Sequence, residues 1–406
     1  MALLPVLAVL ATVVQGGSVP EDTPAQEDNS TTVVAQPDQV KPEPAKEKKF
    51  DAIAIPLLSY NSDQGVGFGA VGGAYLYAPG YKPYRHALAL NVFFTTLGIQ
   101  NHWIRYDGPR LIGNNRLELR VEHRRELLAP YYGVGNVSSP GFNGDVTDKR
   151  FNYDRLSPGA WVRLRGQPFG DGHPFQPYIG YAFRYTRVHV YPGSVLEQEQ
   201  PLGIAGGPTG QLIGGLLWDT RDDENDATRG GAEELSVRAA ARPTGSAYNF
   251  WGVTLSERRY FKLGSPRLVF AQRFTADALF GDVPFFEWAN IGGTATPEGI
   301  GGMSSVRGIP RNRYAGDVKV FSNSELRFYA FDFPFRGEPV HVGGLMLVDF
   351  GRVWHPNVDD GAWYSWHPGV GAGIRVARKA AVLRFDWGYA PEFNRNAVYV
   401  SFGHMF

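Results

Sequence analysis

The sequence predicts an all-β chain folded as one transmembrane antiparallel β-barrel of about sixteen strands, with a long loop folded into its lumen. Three observations carry that expectation. Apolar and polar residues alternate with period two from Phe50 onward. The alternating runs are about ten residues long, the length a tilted membrane strand requires. The polar sides carry full charges, including Arg163, Arg165, Arg184 and Arg258. Leu117, Leu119 and Val121 interleave with Arg116, Glu118, Arg120 and Glu122; Leu383, Phe385 and Trp387 interleave with Arg384 and Asp386. Val398, Val400 and Phe402 share a face with the terminal Phe406, interrupted by His404. A β-sandwich also alternates, but in shorter strands whose apolar faces pack together. Long runs with charged faces suit a wet lumen inside a lipid-facing wall.

Composition agrees. Glycine makes up 50 of 406 residues and aromatics 14%, and a barrel places aromatic surface against lipid and in interfacial girdles. Forty basic residues balance 40 acidic ones, so no cationic surplus points to nucleic acid. The absence of cysteine removes thiolate metal sites and cysteine nucleophiles. Residues 2–15 (ALLPVLAVLATVVQ) form the only long apolar run, too short to span as a helix and placed where a signal-peptide core belongs. Residues 1–18 are therefore read as a signal peptide. Residues 19–49, rich in Pro, Glu, Gln, Ser and Thr, lack the apolar side chains that would offset ordering and read as a disordered linker. That leaves 50–406 for the barrel, which crosses the membrane by strands alone.

The strands are expected to begin near Phe50, Gly65, Arg85, Asn101, Arg116, Phe151, Phe175, Gln211, Gly231, Tyr248, Arg267, Val318, Val340, Pro368, Ala380 and Asn396. Between about Asp282 and Gly316 the alternation stops and glycine is frequent. A loop of that length is usually functional or disordered.

Inside it lies SSVRGIPRNRYAG, with Val306, Arg307 and Gly308. Two strands follow, one with Glu325 and one with Asp349. In the first, Val318, Val320, Leu326 and Phe328 share a face, which puts Glu325 on the other with Lys319, Asn323 and Arg327. In the second, Met346, Val348 and Phe350 put Asp349 opposite. Both carboxylates therefore point to the lumen, where a loop arginine folded inward could bridge them by bidentate hydrogen bonds.

At these residues the chain resembles the outer-membrane protein insertase superfamily (BamA/TamA-like, also called bacterial surface antigen). The resemblance implies a sixteen-stranded barrel with a long loop between strands eleven and twelve. That loop carries a Val-Arg-Gly-aromatic motif whose arginine meets acidic groups of the next two strands. Eleven expected strands precede the loop here, and Ile309 stands where the aromatic is usual. YYGVGN (131–136), DTRDDENDATRGG (219–231), GVGAGIRV around Gly371 and the terminal Phe406 also match. No polypeptide-transport-associated domain fits before Phe50, which implies the barrel-only branch.

Each motif also has a plainer reading. Arg307 with its acids could be only a brace for the loop. GFGAVG (67–72) matches a dinucleotide fingerprint, but no helix follows it, so it reads as a glycine-rich strand. The nine histidines show no metal-ligand spacing. No GxSxG or Walker sequence appears, so neither an enzyme nor a cofactor is expected. Asp222, Asp223, Glu224 and Asp226 read as a solvated turn rather than a cation site.

The expected function is insertion or translocation of proteins at the bacterial outer membrane through a seam between first and last strands. The alternative is a passive pore or structural barrel. Expected partners are outer-membrane lipid (lipopolysaccharide and phospholipid), client outer-membrane proteins and a separate periplasmic protein. Pro56 has no N–H and removes a ladder bond from the first strand. Ala54 and Pro56 on the first strand, and Val398, Val400 and Phe402 on the last, are the expected seam residues, with the register between the two strands left open.

Overall fold

The computed structural model describes residues 49–406 apart from 82, 140, 171, 225, 295–297, 357, 359, 360, 379 and 380. The expected signal peptide and linker, Lys49 excepted, lie outside the described residues.

Each alternating run becomes a strand. They are β1 (Phe50–Asn61), β2 (Gly65–Leu76), β3 (His86–Thr95), β4 (Ile99–Ile112), β5 (Asn115–Pro130) and β6 (Asn152–Leu156). Next come β7 (Gly159–Arg165), β8 (Phe175–Val190), β9 (Gly207–Asp219), β10 (Gly230–Ala240), β11 (Phe250–Lys262) and β12 (Leu268–Gly281). The wall ends with β13 (Val318–Phe335), β14 (Glu338–Trp354), β15 (His367–Arg378), β16 (Ala381–Ala390) and β17 (Arg395–Phe402). All pair antiparallel with their neighbours, and β1 meets β17 to close the ring.

Strands β6 and β7 occupy one place. Both pair with β5 on one side and β8 on the other, so seventeen strands make a sixteen-place wall. The single strand expected from Phe151 is broken at Ser157–Pro158, because Pro158 has no N–H to give the ladder. The other starts fall within a few residues of expectation, the largest offset being β9 at Gly207 rather than near Gln211. The connection 282–317 follows the eleventh place, and 220–229 follows the eighth.

The alternation sorts side chains as a barrel requires. Leu90, Ile104, Val121, Ile179, Val237, Met346 and Ile374 are exposed on the outer surface, while Glu118, Arg238, Glu325, Asp349 and Asp386 are buried within. Phe50 and the last strand's end lie where short turns such as 113–114 and 336–337 join the strands. The longest connections, 131–151, 191–206 and 282–317, gather at the other end. In outer-membrane barrels the short turns face the periplasm and the long loops the exterior.

The C-terminus departs from the expected pattern. Phe406 does not share the outer face of Val398. At Gly403 (φ +79°) the chain leaves the wall and turns inward. Phe406 then sits beside Tyr260, with the Arg273 and Arg327 guanidinium carbons 4.9 and 5.0 Å from its ring centre. Arg327 Nη2 also donates to its carbonyl at 3.0 Å. Cation–π attraction and a glycine that tolerates positive φ explain why the last residues leave the lipid face.

The lumen loop and the seam

The loop 282–317 is anchored before it enters the barrel. Phe285, Phe286 and Trp288 pack with Tyr131, Tyr153, Leu196 and Phe250 at the long-loop end. Deeper in, Ile291, Ile300, Val306, Ile309 and Tyr314 bury themselves against Phe321, Val353 and Ala390. Ile309 is fully buried and fills the position where the resembled family carries an aromatic.

Between these apolar residues, the Arg307 guanidinium makes four hydrogen bonds, all to carboxylates. Nε and Nη2 donate to Asp349 Oδ2 and Oδ1 at 2.8 and 3.0 Å. Nη1 donates to Glu325 Oε1 at 2.6 Å and to Asp386 Oδ2 at 3.2 Å. Its backbone N–H also reaches Asp349 Oδ2 at 3.1 Å. All four side chains are fully buried. Burial works against the Arg307 charge, but Asp349 and Glu325 overcome it and hold the group well above its usual pKa. Arg327 pairs with the other oxygen of Glu325 at 2.8 Å, and Arg375 with Asp386 at 2.5 Å. Three guanidiniums thus face three carboxylates.

The structure brings together Val306, Arg307, Gly308, Glu325 and Asp349, and it adds Asp386, which sequence reasoning had placed only on the polar side of its own run. The wall beneath the motif is glycine. A Cβ on Gly369 would lie 2.2 Å from the Arg307 carbonyl oxygen, and one on Gly388 2.7 Å from the Gly308 nitrogen. Gly308 itself has φ +95°, and a Cβ there would lie 2.7 Å from the Ala390 nitrogen. Missing side chains on β15 and β16 let the loop backbone lie directly on the sheet.

The loop tip also reaches the edge of the sheet. Gly308 N–H donates to Tyr399 Oη at 3.2 Å, and Arg395 Nη1 donates to the Gly308 carbonyl at 2.9 Å. Through its Nη2, Arg395 then pairs with Asp63 in the β1–β2 turn at 2.8 Å.

That edge is the seam. Strands β1 and β2 share twelve residue pairs and β16 and β17 share eight, whereas β1 and β17 share two, Tyr60↔Val400 and Asn61↔Tyr399. Ser62 N–H extends them to the Val398 carbonyl at 3.1 Å. From Phe50 to Ser59, β1 has no partner on this side among the described residues. The structure supplies the register that the sequence left open. Val400 faces Tyr60, while Ala54, Pro56 and Phe402 face no residue across the seam, because β17 stops at Phe402 and the chain turns inward. Tyr77 N–H bonds the Lys49 carbonyl, so odd-numbered β1 residues hydrogen-bond to β2 and even-numbered ones point theirs at the seam. Pro56 therefore removes a donor from the free edge, not from the β1–β2 ladder.

Other expected features fall in ordinary places. GFGAVG lies within β2. Asp222 accepts from Thr228 and Arg229 and so closes its own turn. Among the described residues no three His, Asp or Glu side chains are grouped to hold a metal.

A closed sixteen-place antiparallel wall, apolar outside, charged inside and plugged by its own loop, defines an outer-membrane-type β-barrel. The chain belongs to the Omp85 superfamily, whose domain matches residues 205–406, the part holding the loop and all its carboxylate partners. BamA from Haemophilus ducreyi, solved without POTRA domains 1–3, shares the fold at 15% identity and TM-score 0.59, over 87% of this chain and 70% of that one. CdiB from Escherichia coli does so at 14% identity and TM-score 0.57, over 89% and 63%. CdiB from Acinetobacter baumannii gives 16% and 0.53, over 88% and 60%. This chain thus spans less than two thirds of either CdiB chain. No curated protein matches it.

Proposed function

We propose that this barrel inserts or translocates other proteins at the bacterial outer membrane by opening its wall between β1 and β17. The observation that carries the reading is the two-pair seam beside a β1 edge unpartnered from Phe50 to Ser59. An unpaired edge is a template for another strand, and an incoming chain adds to it by main-chain hydrogen bonds. Pro56 on that edge limits permanent pairing, as edge prolines do in other sheets. The loop tip sits where it reports on the seam, bonded to β17 through Tyr399 and, through Arg395, to the β1–β2 turn. Clients are outer-membrane proteins, delivered by a separate periplasmic protein, and lipid surrounds the wall. Strand exchange needs no enzymatic step and no cofactor.

The test is site-specific photo-crosslinking in cells from Ala54 and Leu58, both on the outer face of the free edge. Crosslinks to precursor proteins are the expected result. Their absence at both positions, with crosslinks only to lipid, would favour a passive pore or scaffold.

A further inference from the structure

Away from the loop motif, the lumen wall around β5 and β7 carries more guanidiniums than carboxylates. Glu118 on β5 receives Arg105, Arg163 and Arg165 at 2.5, 2.8 and 3.4 Å. Glu122, two pleat repeats along, receives Arg120 and Arg184, both at 3.0 Å. Five guanidiniums meet these two carboxylates, and although Asp219, Glu224, Glu287 and Glu298 also line the space, so do Arg116, Arg124, Arg155, Arg221, Arg238 and Arg258, which leaves it cationic. Arg258 lines the same space and makes no ion pair among the described residues. The Nε atoms of Arg105, Arg120, Arg165 and Arg258 are buried without an acceptor among the described residues. Arg313, Arg375 and Arg384 also have an Nε without an acceptor among the described residues, but Arg105, Arg120, Arg165 and Arg258 border a cavity that an acceptor can enter.

The arginines surround a real volume. The cavity measures about 610 Å³, within the range of small-ligand sites. Gly180 and Ala182 on β8 face it with little or no side chain, leaving the guanidinium heads room. Gly292, Gly293 and Thr294 of the lumen loop line one side. Arg116 and Arg165, near the short-turn ends of β5 and β7, line the other, so the cavity extends toward the short-turn end of the barrel. The heads are held by stacking, with Arg120 over Trp103 at 4.8 Å and Arg163 over Trp161 at 5.2 Å. Planar guanidiniums fixed this way suit phosphoryl oxygens, which accept bidentate hydrogen bonds.

We propose that this cavity binds a multiply phosphorylated anion, either free in the periplasm or as a lipid headgroup. The site stands apart from the seam, and its test does not depend on client insertion. Full-length protein in detergent is titrated calorimetrically with inorganic pyrophosphate and, separately, with a bis-phosphorylated glycolipid. Wild type is compared with R165Q/R258Q and with K262Q, which removes an exposed charge elsewhere. The expected result is saturable binding, unchanged in K262Q and weaker by about tenfold or more in the double variant. Tighter glycolipid binding assigns the headgroup, and equal or tighter pyrophosphate binding assigns the free anion. No saturable binding of either ligand, or equal binding by the double variant, overturns the proposal. Should the double variant lose the compact heat-modifiable band, R258Q, which breaks no observed ion pair, carries the same comparison.

Discussion

Replacing Arg307 by alanine tests how the loop is held. Four side-chain hydrogen bonds disappear, two to Asp349 and one each to Glu325 and Asp386. Their individual strengths do not add, because the cost lies chiefly in the carboxylates left behind. Glu325 keeps Arg327 and Asp386 keeps Arg375. Asp349 keeps only neutral donors, Asn323 Nδ2 at 2.7 Å and the residue-307 backbone N–H. The loss is therefore that of one broken buried pair, about 3–5 kcal/mol, and less where water reaches the stranded acid. Read as the temperature at which the compact gel band converts to the unfolded one, Arg307→Ala should lower the midpoint by several degrees. It should also expose 282–317 to protease. Adding Asp349→Asn removes the stranded charge and should recover part of the loss. A single variant as heat-resistant and protease-resistant as wild type, or a double variant no better than the single, would refute the reasoning.

Three further outcomes follow from the same geometry. Gly369→Ala puts a methyl 2.2 Å from the Arg307 carbonyl and should displace the loop tip at a cost of about 1–3 kcal/mol, seen as faster loop proteolysis with the strands intact. Unchanged proteolysis would mean that the tip does not rest on this wall. At the long-loop end, Glu392 lies 2.7 Å from His367 Nδ1 and accepts from Tyr314, and burial pushes its carboxyl up to about 7. Its pKa is higher folded than unfolded, so its contribution is full below about pH 4.5 and lost as pH rises through about 7. Heat resistance should therefore gain from this group between pH 8 and pH 5, and Glu392→Gln should flatten that gain; an unaltered pH profile in the variant would contradict it. Arg395→Gln cuts the tie between Gly308 and Asp63 and should increase crosslinking from Ala54, while reduced crosslinking would show that the tie promotes opening.

The alternation of a single run is enough to say that a residue faces lipid or lumen, which is why Glu325 and Asp349 could be paired with Arg307 from sequence. It does not say at what height a residue stands, because height comes from the pairing of successive strands. Asp386 was visible as a lumen-facing acid, but only the β15–β16 register, with Gly371 opposite Gly388, carries β16 past the loop tip. Gly369 and Gly388 looked like any glycine in a glycine-rich barrel until a loop backbone was found against them. The seam shows the same limit. Pro56 could be placed on the first strand, yet period two cannot tell which side its missing N–H faces. Ala54 and Val400 could be placed on the two strands that meet, but period two left their register open. The register puts Val400 opposite Tyr60, and the inward turn at Gly403 takes away the residues that would have continued β17 alongside Ala54.

Whether the wall opens is best tested by tying it shut. Tyr60 and Val400 face each other as a hydrogen-bonded pair, whose α-carbons stand about 5.5 Å apart, a spacing a disulfide accepts. Tyr60 lies on the outer face, clear of the loop tip, and the chain has no cysteine of its own. The Tyr60→Cys/Val400→Cys barrel is oxidised, reconstituted in liposomes, and supplied with an unfolded eight-stranded outer-membrane protein. Opening at the seam predicts that insertion of that client stops on oxidation and returns on reduction, with the barrel's heat-modifiability unchanged throughout. Full client insertion by a barrel shown to be cross-linked would contradict it.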